Sequence, residues 1–307
     1  MNVRVEIPSD KADKSFFKKY NSYQLSRASK KPDVGYDSLS SNQKKIIDDF
    51  KNHISRSREE ILADGKLVIL NGPAGSGKSV VGKLIKKLLL ERKQEKDFDF
   101  LITAYSGVAA SVLQGQTLHS ALKIPAYVTP ITMQYLLNKK INKKVQQELA
   151  KVVVILVDEY SLLGLRFFSY VDKFFRKIDP SRSDVPFSGR SVCLLGDIAQ
   201  LPPTRDYTLW STDFNYAPDK ELLVEASAVF RQFKIVYKLE QVYRQNGEQA
   251  RQFRELLGRL RLGKTTSEDV ALLRTRMQCN LTELEINCFK DALHIFQRVA
   301  QVEEHNM

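Results

Sequence analysis

Residues 67–79 read LVILNGPAGSGKS, a short apolar run that breaks into a glycine-rich turn. The chain continues as VVGKLIKKLLLER, in which Val81, Leu84, Ile85, Leu88 and Leu89 recur at the spacing of one helix face. The turn, Gly72 to Ser79, matches the phosphate-loop pattern G-x-x-x-x-G-K-[ST] and stands where that pattern has a mechanism, after a strand and before a helix. Gly72, Gly75 and Gly77, interleaved with Pro73, Ala74 and Ser76, leave backbone N–H groups free to surround phosphate oxygens, and the helix start adds partial positive charge. Lys78 is then placed to reach the β- and γ-phosphates, and Ser79 to ligate Mg²⁺. A chance glycine-rich turn is the alternative, and the flanking strand and helix weigh against it.

Working outward, FDFLIT (98–103), KVVVILV (151–157) and SVCLLG (191–196) are further apolar runs that end in small or acidic residues, with helical patterns between them. The alternation implies an α/β fold, a parallel sheet with helices on both faces. Ligands of such a sheet collect at the carboxyl ends of its strands. Five polar residues fall at or after those ends. Asp158 would orient Mg²⁺ and its waters, while Glu159 would take a proton from an attacking water, which favours hydrolysis over transfer to a substrate. After the next strand, Asp197 and Gln200 precede a Pro-Pro stop, and a glutamine there can touch a γ-phosphate or the attacking water. Arg244, after KIVYKL (234–239), offers a permanently charged fork that could serve as an arginine finger. Each of these also has a plain reading, as a turn cap or a solvated side chain.

Between the phosphate loop and the acid pair lies TAYSGVAASVLQGQTLHSAL (103–122). Ser106, Gly107, Thr117 and His119 suit contacts along a nucleic-acid backbone, although helix capping by Ser106 and packing of His119 explain them equally well. The cluster KKINKK (139–144) and Arg251, Arg254, Arg259 and Arg261 are candidate phosphate contacts or ordinary solvated faces. A formal net charge of +12 fits a polyanionic partner without requiring one. The three cysteines have no CxxC spacing, against a disulfide framework or a zinc site. No apolar run is long enough to cross a membrane, so a soluble protein without a membrane partner is expected.

In this order the motifs resemble one family, the PIF-type (petite integration frequency) DNA helicases of superfamily one, over roughly residues 39–307. LSSNQ (39–43) resembles the family's Q motif, which would put Gln43 on the adenine. GPAGSGKS and VDEYS look like motifs I and II, GDIAQLPP like motif III and LEQVYRQ like motif IV with its arginine. TAYSGVAA and QTLHSAL resemble the DNA-contacting motifs Ia and Ib, and PFSGR (186–190) is similar to a family PFGG turn. Tyr105 and Ser106 depart from the family's usual Pro and Thr, and Tyr160 stands where an apolar or small residue is more usual.

Residues 1–38, rich in Lys, Ser, Asp and Tyr with little periodicity, read as a poorly ordered extension, and the resemblance implies a first RecA-like domain over 39–227, with a small insertion at 121–149. A truncated start of a second RecA-like domain would occupy 228–307, with the family's later motifs missing. It further implies ATP as substrate, Mg²⁺ as cofactor, and 5′-to-3′ movement on single-stranded DNA and at duplex junctions by a monomer. Roles in repair, recombination or telomere maintenance follow from it, with a nuclear, mitochondrial or, in a bacterium, cytoplasmic location. Two rivals stay open: a DNA-binding ATPase that does not unwind, and a nucleotide-binding module without turnover.

Overall fold

The computed structural model describes residues 35–93, 98–124, 135–243, 250–289 and 294–306. They fall into two compact units, one spanning Gly35–Arg261 and one whose described residues begin at Leu262. The first unit is built on a six-stranded parallel sheet. Its strands are β1 (Leu67–Asn71), β2 (Asp99–Ala104), β3 (Gln116–Thr117), β4 (Val152–Asp158), β5 (Ser191–Gly196) and β6 (Ile235–Lys238), in the order β3-β2-β4-β5-β1-β6. The continuous apolar runs of the sequence are thus its central strands; all seven residues of β4 and all six of β5 are buried.

Two cores sandwich the sheet. On one face α1 (Ser41–Ile54), α2 (Arg58–Ala63) and α3 (Lys78–Arg92) set Ile46, Ile61, Val81, Ile85 and Leu89 against Leu156 and Leu195. On the other, α7 (Leu165–Ile178) and α8 (Lys220–Phe230), with Phe233 just after α8, set an aromatic layer that includes Phe168 and Phe175 against Ile155 and Leu194. Side chains along β4 alternate between the two cores except at Val153 and Val154, which share one. The register slips there, since Asp99 pairs with Val152 and Phe100 with Val154, so Val153 is a bulge. Capping boxes start α1 at Ser40 and α2 at Ser57. Further short helices among the described residues include α4 (Gly107–Val112), α5 (Leu118–Ala121) and α6 (Lys143–Ala150), with α9 (Arg251–Arg261) closing the unit.

KIVYKL does not open a second domain. As β6 it pairs in parallel with β1, Val68 against Ile235 through Asn71 against Lys238, and the compact unit runs on to Arg261. An isolated four-residue strand must satisfy its backbone against a neighbour, and β1 offers a free edge; the boundary expected at residue 227 therefore moves. The insertion expected at 121–149 is only partly described, since residues 125–134 lie outside the described residues. Its end forms most of α6, whose Leu149 packs into the same core as α7. Of the N-terminal extension, residues 1–34 lie outside the described residues, while Tyr36 donates its hydroxyl to Asp48 on α1.

In the second unit, α10 (Ser267–Arg274) and α11 (Glu283–Cys288) start with capping boxes at Thr266 and Thr282, and α12 (Val299–Asn306) follows. No strand occurs among its described residues, and residues 294–296, in the apolar run ALHIF (292–296), are irregular. Leu272, Leu273, Leu284 and Ile295 are exposed.

Candidate nucleotide site and nucleic-acid edge

The carboxyl ends of β1, β4 and β5 converge, as the register dictates: Asn71 lies opposite Gly196, and Ala104 opposite Asp158. Between β1 and α3 the phosphate loop takes left-handed backbone at Gly75 (φ 83°) and Gly77 (φ 89°), conformations that favour glycine. A side chain at Gly72 would meet Ser76 Oγ at 2.5 Å and the Leu239 carbonyl at 2.8 Å. No side chain caps α3, so its first-turn amides remain for a phosphate. Lys78 is buried, and its Nζ donates to the carbonyls of Gly72 (2.6 Å) and Pro73 (3.0 Å). Burial lowers its pKa, against which Asp197, Glu159 and Asp158 pull it up, in that order. Ser76 Oγ is buried without a hydrogen-bond partner, and Ala74 and Ser79 are exposed.

Asp158 is buried at the end of β4, and burial pushes its carboxyl up to about 6. One oxygen accepts the Glu159 amide at 3.0 Å. A buried carboxylate raised in this way, with Glu159 beside it and Lys78 only partly offsetting the burial, would be stabilised by a divalent cation. The residues fit Mg²⁺, which Asp158 and Ser79 would hold, both offering the oxygen donors that this cation takes. Glu159 turns sharply out of the strand in left-handed backbone, φ 55° and ψ 48°. Asp197 accepts the Ala199 amide on its Oδ1, and its carbonyl accepts the Gln200 amide, so the acid shapes the loop that carries Gln200. Gln200 is exposed.

Asn71 and Tyr160 join these ends and were not legible as site residues. Asn71 Oδ1 accepts from the Tyr160 hydroxyl (3.1 Å) and from the Ile198 amide (2.9 Å), tying β1 to the turns after β4 and β5. The one signal in the sequence was a polar residue ending an apolar strand. Tyr160, a departure from the family pattern, is buried, and burial raises its hydroxyl to about 12. Gly196 makes room for it, since a Cβ there would stand 2.7 Å from the Tyr160 ring.

Gln43 is engaged within the fold. Its side-chain carbonyl accepts the Ser40 amide at 3.1 Å, and its Nε2 lies 3.5 Å from the Ser76 carbonyl. With Asn42, Ser76, Leu239, Gln241 and Tyr243 it lines a cavity of about 210 Å³ beside the phosphate loop. The segment after β6 is strapped along that loop: Leu239 N donates to Asn71 O and Tyr243 N to Gly75 O. Arg244 itself lies outside the described residues.

Ser106, Gly107, Thr117 and His119 lie at the same carboxyl end of the sheet, Ser106 and Gly107 after β2, Thr117 ending β3 and His119 just beyond it. Ser106 Oγ accepts the Ala109 amide and Thr117 Oγ1 the Ser120 amide, so both hydroxyls cap helices. Gly107 has open space where a side chain would stand. His119 stacks on Phe167 (4.5 Å between ring centroids) with Tyr105 edge-on, and burial lowers its pKa. Among the described residues no three acids, histidines or cysteines form a metal cluster.

The model of the PIF1-like helicase family matches residues 38–271. The chain belongs to the PIF1-like helicase family. Among curated relatives it is 25% identical over 246 residues to the ATP-dependent DNA helicase PIF1 of Emericella nidulans, covering 80% of this chain and 31% of that one. To the ATP-dependent DNA helicase Pif1 of Psychrobacter it is 31% identical over 190 residues, 62% of this chain and 27% of that one. Among solved structures, a Bacteroides Pif1 bound to single-stranded DNA superimposes with a TM-score of 0.54 at 26% identity, covering 76% of this chain and 49% of that one. The chain thus spans about a third or less of these curated relatives and about half of the solved PIF1-like chain.

Proposed function

We propose that the chain hydrolyses ATP with Mg²⁺ and uses the cycle to move 5′-to-3′ on single-stranded DNA. The observation that carries the reading is the convergence of Asp158, Glu159 and Asp197 on Lys78, at an uncapped helix start. Lys78, now on the Gly72 and Pro73 carbonyls, would exchange them for phosphate oxygens. Mg²⁺, when bound, would neutralise the β- and γ-oxygens. Glu159 would accept the proton of the attacking water, with Gln200 orienting it and Arg244 completing the charge around the γ-phosphate. Gln43 and the cavity beside it would receive the adenine. Ser106, Gly107, Thr117 and His119 would face the DNA strand, with amides and basic side chains binding its phosphates. Action at duplex junctions, monomeric state, cellular roles in DNA maintenance and the corresponding compartment belong to the same reading and rest on family membership.

A second reading, a DNA-stimulated ATPase that does not unwind, draws support from the second unit, which has no strand among its described residues. A motor needs two grips that close over ATP in turn. Strand displacement from a duplex with a 5′ single-stranded tail separates the two. ATP-dependent displacement abolished by Lys78→Ala supports the helicase; DNA-stimulated hydrolysis without displacement supports the second reading; hydrolysis that survives Lys78→Ala removes the site from both.

A further inference from the structure

Arg261 ends α9, and by sequence it is one of several arginines suited to a nucleic-acid backbone. The structure turns it inward. Its guanidinium forks onto Asp197, with Nη2 2.6 Å and Nε 3.2 Å from Oδ1, and Nε 3.4 Å from Oδ2. The Asp197 side chain is 4% exposed and that of Arg261 26%, and α9 is anchored by the buried Leu256. The pair stands close to the phosphate loop. Asp197 is the foremost of the acids acting on Lys78, and the Arg261 charge is felt both at Lys78 and at the Tyr160 hydroxyl.

Three carboxylates, Asp158, Glu159 and Asp197, thus surround the one lysine of the phosphate loop. Asp158 and Glu159 have assigned work at the metal and the water. Asp197, left bare, would hold Lys78 away from the β- and γ-phosphates and repel the terminal phosphate, since a buried unpaired carboxylate acts through a low local dielectric. Its backbone and side chain also set the loop leading to Gln200. We propose that Arg261 is a positioning residue for ATP hydrolysis: by pairing with Asp197 it removes that charge from the path of the γ-phosphate and holds the Gln200 loop in register. The inference rests on the ATPase reading above. A forked guanidinium suits the task because it satisfies a planar carboxylate and keeps its charge at any working pH.

The test uses the full chain and measures affinity for Mg·ADP, the tightening produced by adding aluminium fluoride as a γ-phosphate mimic, and kcat with saturating single-stranded DNA. Arg261→Gln should lower kcat and the fluoride-induced tightening by at least about tenfold while changing Mg·ADP affinity by less than about threefold, because the α- and β-phosphates stay on the loop amides. Adding Asp197→Asn to that variant should restore most of the tightening, since the offending charge is then gone. Arg261→Met, alone and with Asp197→Asn, repeats the comparison should the glutamine variant fail to fold; the doubly neutral pair leaves no buried charge.

Unchanged tightening in Arg261→Gln overturns the assignment. So does a loss of Mg·ADP binding and tightening together that Asp197→Asn deepens, which marks a structural tie only. A change confined to the salt dependence of DNA affinity returns Arg261 to the DNA backbone and overturns it as well. A wild-type chain that neither hydrolyses ATP nor tightens with fluoride overturns the ATPase reading itself, whereas tightening in the wild type that the glutamine variant retains overturns the Arg261 role alone.

Discussion

Glu159 carries opposed demands at a single position. Its left-handed backbone, φ 55°, costs about 1–2 kcal/mol for a residue with a Cβ, and the turn persists because the flanking Asp158 and Tyr160 are both buried. Glu159→Gly should relieve that strain, less the entropy glycine loses on folding, and raise stability by up to about 1 kcal/mol while ending hydrolysis. Glu159→Gln should leave the strain and the metal ligands alone, so that ATP binds and persists. Thermal melts beside a turnover assay decide it: a glycine variant less stable than the glutamine variant, or one that still hydrolyses ATP, contradicts the account.

At the scale of elements, the turn between α7 and β5 shows how a sequence pattern acquires meaning only in three dimensions. PFSG folds as a tight left-handed turn with Phe187, Ser188 and Gly189 all at positive φ, 50°, 52° and 78°. What holds it is Asp172 on α7, whose carboxylate accepts the Phe187 amide at 2.6 Å and pairs with Arg176 at 2.8 Å, while Ser188 Oγ donates to the Phe175 carbonyl at 2.9 Å. The turn in turn seats Phe187 against Phe168. Asp172→Ala strands a buried amide in a strained turn and should cost about 2–3 kcal/mol, measured as a fall in the denaturant midpoint with an unchanged slope. A variant as stable as wild type would show that the left-handed run holds itself. Nothing in the sequence marks this aspartate, since it lies within an amphipathic helix fifteen residues before its partner.

For the molecule as a whole, one contribution to the response to pH comes from a histidine outside the phosphate loop and the acid pair. His53 is buried in the last turn of α1, its Nε2 2.7 Å from Ser191 Oγ, and burial lowers its pKa from 6.5 to about 4. Between those values the unfolded chain binds a proton that the folded chain does not. Stability from His53 is therefore complete above about pH 6.5 and declines as pH falls toward 4, on the order of 2 kcal/mol in all. Asp158, raised by burial, acts in the opposite sense over nearly the same range, so only a comparison isolates the histidine. The melting temperature of the wild type should fall more between pH 7.5 and 5 than that of His53→Gln; parallel curves would sink the assignment.

Much of this chain was determined locally. The phosphate loop, the acid pair after β4 and the order of strands and helices depend on neighbours in sequence, because a glycine-rich turn between a strand and a helix and a continuous apolar run can each adopt few structures. The family resemblance rests on the same motifs. Tertiary structure decided what depends on distant partners. KIVYKL reads as a strand in any context, yet only the free edge of β1 made it the sixth strand of the first sheet. Asn71 became a joint between three strand ends because Tyr160 and the Ile198 amide arrive there. Arg261 looks like any surface arginine until α9 carries its fork onto Asp197, 64 residues away in the chain. Hydrogen-bond and charge partners of this kind are set by packing, and periodicity in the chain carries no record of them.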